Sequence, residues 1–444
     1  MSLAPISTKI LAVIDAALLA AGIAMIAWSP MEIAGDAESR YRTLDEWMAS
    51  GHVNNTSYSF SGPVLAAPLW KLGDTPEARL EYVDYFNLIV FAVAAICLFA
   101  AFREHLGPDR SGRFLLLLLF ATGFPHELQN FNNEVLSSLA LGCGLIGLYA
   151  SRRLARGFAG GAIVLATVNM PGLAIGTGLA LLGVVERTRK LRWLIIPALC
   201  AGGIMSEAWL RRGSPWLSGY EGNAGFKTPL PYSGLPEFSY PFLLGLISIV
   251  FSFGKGLLFF YPGAFVRIRP WLRDETILNL QRAWLLAVTG LVLLYARWWS
   301  WYGGFCWGPR FFLFAALPSC LALSVWSAGA RSILSCLAAS AIIGWCLWVG
   351  YSGLVFALSD LDICSNRNYR LEAFCWYVPE FSPLIRPFIT ARALTAWEEN
   401  ALYLFYAVYL RITLRLWLQA VAGIVRAVRA APAAVGAWLR EARL

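Results

Sequence analysis

Two carboxylates a residue apart, Asp36 and Glu38, stand just beyond the first apolar run of the chain, Ile10 to Trp28. A carboxylate can take the proton of an attacking hydroxyl as a bond forms, and a pair can hold a cation. Charges are costly in hydrocarbon, so two at its edge point to a reaction or an ion site there; a solvated first loop is the plainer alternative. Glu134 opens a later apolar run after the turn 124–134. There it either caps a helix dipole or converges with Asp36 on a hydroxyl or a divalent cation. His126 in the same turn reads as a hydrogen-bonded loop residue rather than a ligand. Lys255 sits between Gly254 and Gly256 inside an apolar stretch, where it meets an anion or snorkels to the surface. Arg310 follows Gly308-Pro309 at a helix start, where guanidinium donors and N-terminal amides can hold a phosphate together. Trp298, Trp299, Trp301 and Trp307 precede it; an aromatic belt accounts for the tryptophans, but not for Gly303-Gly304 or Gly308-Pro309-Arg310.

The elements that carry these groups are those of a membrane protein. Of 444 residues, 58% are hydrophobic and 14% charged, with a mean hydropathy of +0.59. A soluble chain of this length would carry about 25% charged residues. The net charge of +9 suggests no nucleic-acid partner, because the basic residues lie between apolar spans rather than on one face. Three histidines and no Cys-x-x-Cys argue against a zinc site built from histidine or thiolate. No cleavable signal is evident before Pro30. Apolar runs predict about twelve helical spans, near 9–28, 86–102, 114–125, 134–150, 157–169, 172–185, 192–209, 242–265, 283–299, 311–328, 332–357 and 399–418. The pair 157–185 is short and is expected to turn back near Asn169-Met170-Pro171-Gly172. Arginine-rich loops then put both termini in the cytoplasm and Asp36, Glu38 and Glu134 outside. The outer segments 29–85, 210–241 and 358–398 are expected to fold down as a cap of short helices, with 44–48 and 64–70 lying in the interface. Residues 58–69 read as a membrane-seated loop helix or a substrate contact. The expected fold is thus an all-α polytopic transmembrane bundle, one domain over 1–444.

Some matches carry less. Asp360-Leu361-Asp362 looks like the Asp-x-Asp of soluble nucleotide-sugar transferases, but the chain has no nucleotide-binding α/β domain around it. Gly176-Thr177-Gly178 lacks the third glycine of a dinucleotide turn, and Asn54-Asn55-Thr56 fits a glycosylation sequon that matters only on a eukaryotic secretory route. Cys364 and Cys375 share an outer loop, where a disulfide is one option.

In organisation and motif order the chain resembles the GT-C superfamily of membrane glycosyltransferases, which use polyprenyl-phosphate sugars. Asp36-Ala37-Glu38 matches the acidic pair of the first outer loop in type and place. Trp301-Tyr302-Gly303-Gly304 with Gly308-Pro309-Arg310 resembles a stretch of many bacterial members. Ser252 to Leu257 looks like their Ser-Pro-Gly-Lys/Arg-Gly-Leu, with Phe253 in place of the proline. The resemblance implies an inverting transfer on the periplasmic side of a bacterial inner membrane. Asp36 would be the base, with Glu38 the competing catalytic carboxylate. Arg310 and Lys255 would stabilise the departing phosphate. Glu134, Arg40, Tyr58, Trp301, Tyr302 and Gly304 complete the implied substrate-binding set, and Asp36, Glu38 and Glu134 would be the ligands of any divalent cation. The implied partners are a polyprenyl-phosphate sugar, carrying a pentose such as arabinofuranose or a mannose, and a glycan, glycolipid or protein acceptor. The alternative class is a secondary transporter or flippase of a lipid-linked or anionic substrate, against which stand the lack of two similar halves and the clustering of charged motifs at one surface.

Overall fold

The computed structural model describes residues 7–29, 33–150, 152–304, 306–357, 362–365, 368–390 and 392–441. The Asp360-Leu361-Asp362 motif therefore lies outside the described residues, apart from the backbone of Asp362. Among the described residues there is no strand, only one isolated bridge between Ala224 and Pro236.

The chain runs through α1 (Thr8–Ala27), α2 (Asp36–Ser50), α3 (Ser61–Trp70), α4 (Pro76–Asp84), α5 (Phe86–Leu106) and α6 (Pro108–Phe120). A single turn, α7 (Phe124–Glu127), leads to α8 (Asn133–Gly147), α9 (Arg153–Asn169), α10 (Ala174–Thr188) and α11 (Ile195–Arg212). Then come α12 (Phe242–Phe251), α13 (Leu257–Phe260), α14 (Glu275–Tyr295), a 3-10 turn (Arg310–Ala315), α15 (Ala316–Gly329) and α16 (Ile333–Val355). Three short pieces, α17 (Asp362–Ser365), α18 (Glu372–Tyr377) and α19 (Arg386–Ile389), precede the long α20 (Ala396–Glu441). Helix starts follow from side-chain caps that satisfy free amides: Ser7 accepts from Lys9, Thr75 from Ala78, Asp274 from Ile277 and Ser332 from Ser335. Gly51 ends α2 in the left-handed region at φ 74°, which a side chain would resist.

Among the described residues, seven helical stretches are long and apolar enough to cross a membrane: 8–27, 76–106, 191–212, 275–295, 310–329, 333–355 and 396–429. The bent pair α9 and α10 raises the number to eight if counted as one. The expected twelve spans are therefore not confirmed. Apolar runs were counted without their breaks: 242–265 divides into α12, an irregular stretch at 252–256, α13 and a 3-10 turn. α6 and α8 are only 13 and 15 residues long, about 20 and 22 Å, and residues 111–120 of α6 are all buried in protein. A helix walled in by other helices need not match the bilayer. The expected return at 169–172 is present, as a bend of 119° between α9 and the Pro171–Thr188 segment.

Four charges lock the first and last helices onto the middle of the chain. Arg411 in α20 reaches Asp15 of α1 at 2.8 Å and Asp109 of α6 at 2.9 Å, and Arg113 contacts Asp109 at 3.1 Å. The close approach needs Gly112, because a Cβ there would lie 2.2 Å from the Asp15 carboxylate. The basic loops meet at one end of the bundle: Arg187 pairs with Glu275, Arg282 with Glu186, and His105 with Asp274. The acidic motifs gather at the other end.

Candidate active site

The acidic pair lies in a helix, not in an extended loop. Gly35, at φ 60°, turns the chain so that α2 begins at Asp36. Residues two apart on a helix point to opposite sides. Asp36 turns inward, whereas Glu38 turns to solvent and pairs with Arg42 four residues on, its side chain 48% exposed. The two carboxylates expected to act together are therefore separated by helical geometry.

What meets Asp36 comes from the far part of the chain. Arg310, at the start of the 3-10 turn before α15, donates from Nη2 to Asp36 Oδ2. Its Nε lies 3.7 Å from Glu134 Oε1 in the first turn of α8. Tyr58 donates its hydroxyl to the other Asp36 oxygen at 2.6 Å. Exposure grades across the trio: the side chain of Glu134 is 3% accessible, Arg310 12% and Asp36 34%. Asp36 is thus the solvent-facing member of the trio, and Glu134 backs the guanidinium and keeps one oxygen, Oε2, buried without a partner. Burial pushes the Asp36 carboxyl upward, but Arg310, the Tyr58 hydroxyl and Arg40 together hold it below the usual carboxylate value. It is ionised at neutral pH.

A polar scaffold sets these groups in place. Glu207, near the end of α11, accepts from the Phe60 amide at 2.7 Å and the Ser59 hydroxyl at 2.8 Å. Arg211 donates to the Asn54 and Tyr58 carbonyls and to Thr56 Oγ1, so the loop that presents Tyr58 is sewn onto α11. Asn169, at the end of α9, accepts from Arg40, Ser61 and the Gly62 amide and donates to Asn133 and Ser137. Gly62 is required there, since a Cβ would sit 2.2 Å from Arg40 Nη2. Arg40, expected to meet substrate, is instead 1% exposed beneath the site. Burial lowers its pKa to about 10, with Glu134 and Asp36 opposing that shift.

Lys255 is also placed differently from its expected role. Its ammonium donates to the carbonyls of Cys306 at 2.6 Å, Gly308 at 2.9 Å and Gly304 at 3.5 Å. It gathers the loop before Arg310 and does not present its charge to an open cavity. The flanking glycine admits backbone rather than ligand: a Cβ on Gly254 would fall 1.8 Å from the Cys375 carbonyl, and the Gly254 amide donates to Trp376. Gly303, Gly304 and Gly308 adopt φ of 86°, 80° and 62°, the conformational reason for the glycines of this loop. Trp301 and Tyr302 are not a belt and do not line an opening: both are buried, with Tyr302 packed on Trp376 at 3.9 Å between ring centroids. Cys364 and Cys375 form a disulfide with Cα atoms 6.1 Å apart, which holds α18 in this layer. A cleft between Lys255, Cys306, Glu372 and Trp376 holds about 10 Å³, the space of one water.

Two solved structures resemble this arrangement of helices. Both are of ArnT from Cupriavidus metallidurans. The one bound to undecaprenyl phosphate is 12% identical, with a TM-score of 0.49 over 96% of this chain and 80% of that one. The apo structure is 13% identical, with the same score over 91% and 76%. No protein-family profile matches the sequence, and no curated protein matches it.

Several groups at the site escaped sequence reasoning. Glu127, in the turn before Glu134, is buried, and its pKa is raised to about 7 by burial and by the charge of Glu134, against the pull of Arg310, Asn132 and Lys255. Neighbouring His126, read from the sequence as a loop residue, is half-buried at the surface of this layer, and its pKa is lowered to about 4 by desolvation first and then by Lys255 and Arg310, so it is neutral. Glu372 rises to about 7 through burial, with Lys255 and Tyr302 opposing. Glu207 had a legible signal, being a lone carboxylate in an apolar span; Asn169 had none beyond its place at a turn. The trio expected for a divalent cation is not assembled. Glu38 faces away, a guanidinium stands between Asp36 and Glu134, and no group of three metal-ligating side chains occurs among the described residues.

Proposed function

We propose that the chain is an inverting glycosyltransferase that moves a sugar from a polyprenyl-phosphate donor to a hydroxyl acceptor at the outer face of a bacterial inner membrane. The observation that carries this reading is the contact of Arg310 with Asp36, across 274 positions of sequence, in a setting where Asp36 is ionised and partly open. An ionised carboxylate beside a guanidinium is what the reaction needs: a proton acceptor for the hydroxyl and a cation for the leaving phosphate. The motif order that resembles the GT-C superfamily supports the same reading.

In the resting protein Arg310 is shared by two carboxylates. A donor phosphate, which offers the guanidinium fork a bidentate partner, takes over the Nη2 donor from Asp36. Asp36 then loses its strongest anchor and becomes the more basic group as the acceptor hydroxyl arrives. Glu134 stays behind Arg310 and keeps the guanidinium aimed. Lys255 acts on the same loop from beneath, through the three carbonyls it gathers. Attack on the anomeric carbon from the Asp36 side, with the phosphate leaving toward Arg310, inverts the configuration. The sugar is a pentose such as arabinofuranose, or a mannose, and the acceptor is a glycan, glycolipid or surface protein.

The test is transfer in proteoliposomes. Supplied with a polyprenyl-phosphate pentose or mannose and a hydroxyl acceptor, the protein should release polyprenyl phosphate in step with glycosylated product. Movement of the intact lipid-linked sugar between leaflets without product would establish the transporter class instead. Single-cysteine labelling from outside intact cells should reach position 36 and not position 331.

A further inference from the structure

A groove runs along α14 from its first turns to past its midpoint, with its mouth at the end where the basic loops meet. It holds about 290 Å³ and is lined by Val266, Ile268, Leu278, Leu285, Leu286 and Thr289, with Arg267, Arg269, Arg282 and Gln281 among its walls. From Leu278 to Thr289 it follows α14 for eleven residues, about 16 Å. Its arginine-lined end, at Leu278, lies about 26 Å along α14 from Tyr295, whose ring stacks on Phe311 beside Arg310, and the groove shares no lining residue with that site. It is therefore distinct from the site above.

The groove is apolar along its length and cationic at its mouth. Arg282 pairs with Glu186 at 3.1 Å and Arg269 approaches Glu275 at 3.8 Å, but all four side chains are more than half exposed. Exposed pairs of this kind are weak, so a phosphate competes with them readily. Arg267 is exposed and has no ion pair among the described residues. A second observation is independent of the arginines. Gln281 is 5% exposed and donates from Nε2 to the Pro318 carbonyl at 3.0 Å, which leaves its buried Oε1 without a donor. An unpaired buried acceptor is destabilising, and a ligand hydroxyl would satisfy it.

We propose that this groove binds one anionic glycerophospholipid of the leaflet opposite the Asp36–Arg310 centre. The phosphate lies among Arg267, Arg269 and Arg282, an acyl chain follows Leu278, Leu285 and Leu286, and a headgroup hydroxyl donates to Gln281. Phosphatidylglycerol fits all three demands. Phosphatidylethanolamine brings a like charge to the arginines. A polyprenyl phosphate lacks the glycerol hydroxyls.

The full chain, purified in detergent, is titrated with phosphatidylglycerol, phosphatidylethanolamine or undecaprenyl phosphate, and bound lipid is counted by native mass spectrometry. One phosphatidylglycerol per chain should be retained in preference to the other two. Arg267→Ala with Arg269→Ala removes two charges worth about 1 kcal/mol each, so its affinity should fall about thirtyfold. Arg273→Ala, which removes a charge outside the groove, should change it less than twofold. The double lysine variant keeps the charge and should stay within about fivefold of the parent. Equal retention of phosphatidylethanolamine, tighter binding of undecaprenyl phosphate through the same arginines, or equal loss in the lysine and alanine variants would each overturn the proposal.

Discussion

Asp36→Asn is the perturbation on which the proposed chemistry stands most directly. The amide keeps the size of the side chain and can still accept from Tyr58, but it cannot take a proton and no longer carries the charge that Arg310 faces. Loss of a general base lowers turnover by about 100-fold to 10,000-fold, or about 3–5 kcal/mol in the barrier. Donor affinity should move the other way. In the parent, phosphate must displace Asp36 from a guanidinium that is 12% exposed, while Asp36 itself is 34% exposed. Asp36 is screened by solvent and Glu134 still faces Arg310 in the variant, so the contact counts for on the order of 1 kcal/mol and its removal should tighten donor binding by about fivefold. Single-turnover transfer measured beside equilibrium donor binding separates the two effects. Glu38→Gln, on the outward face of α2, should leave both within about twofold. If Asp36→Asn retains turnover while Glu38→Gln abolishes it, the assignment made from the helix geometry is wrong. If donor affinity falls with turnover in Asp36→Asn, Asp36 binds donor rather than competing with it.

Arg310→Ala should weaken donor binding and slow the chemical step together, and Arg310→Lys should recover only part of either in the same assay, because a point charge cannot reproduce the fork that spans Asp36 and Glu134. Lys255→Met leaves the carbonyls of Gly304, Cys306 and Gly308 without their donor, at about 1–3 kcal/mol for each that stays buried. A melting temperature lowered by several degrees should therefore accompany slowed turnover, and an unchanged melt would show that Lys255 does not hold this loop. Glu127→Gln tests the pH dependence of stability. The folded pKa of Glu127 is about 7, above its ordinary value of 4.5, so the folded state binds the extra proton between those limits. The stability tied to that proton is fully present below about pH 4.5 and is lost as the pH rises through about 7. Melts at pH 5 and pH 8 should differ less in Glu127→Gln than in the parent, and an equal difference would assign the dependence to another group.

The order of the chemical motifs was legible before any coordinates, because each rests on a local cost. Carboxylates at the edge of hydrocarbon, a lysine in an apolar run and glycines that break aromatic runs all need a reason wherever they fold. Membrane class and helical architecture follow from composition, since a bilayer leaves backbone groups only helical hydrogen bonds among these apolar runs. The turn at 169–172 was legible for a similar reason: proline and glycine interrupt a short apolar pair between two arginine clusters.

Span number was not legible, because an apolar run does not say whether its neighbours are lipid or protein. The runs that became α6 and α8 are walled in by helices, and 242–265 breaks where Gly254 packs against Cys375. Partner choice was not legible either. Whether Lys255 meets a phosphate or three carbonyls, and whether Asp36 and Glu38 act as a pair or face apart, depends on helix phase and on loops brought together from hundreds of residues away. Charge and residue type state what must be satisfied; only the packing of α2, α8 and the 303–310 loop around Arg310 decides by what, because a charge interacts with whatever lies within a few ångströms and sequence distance does not set that neighbourhood.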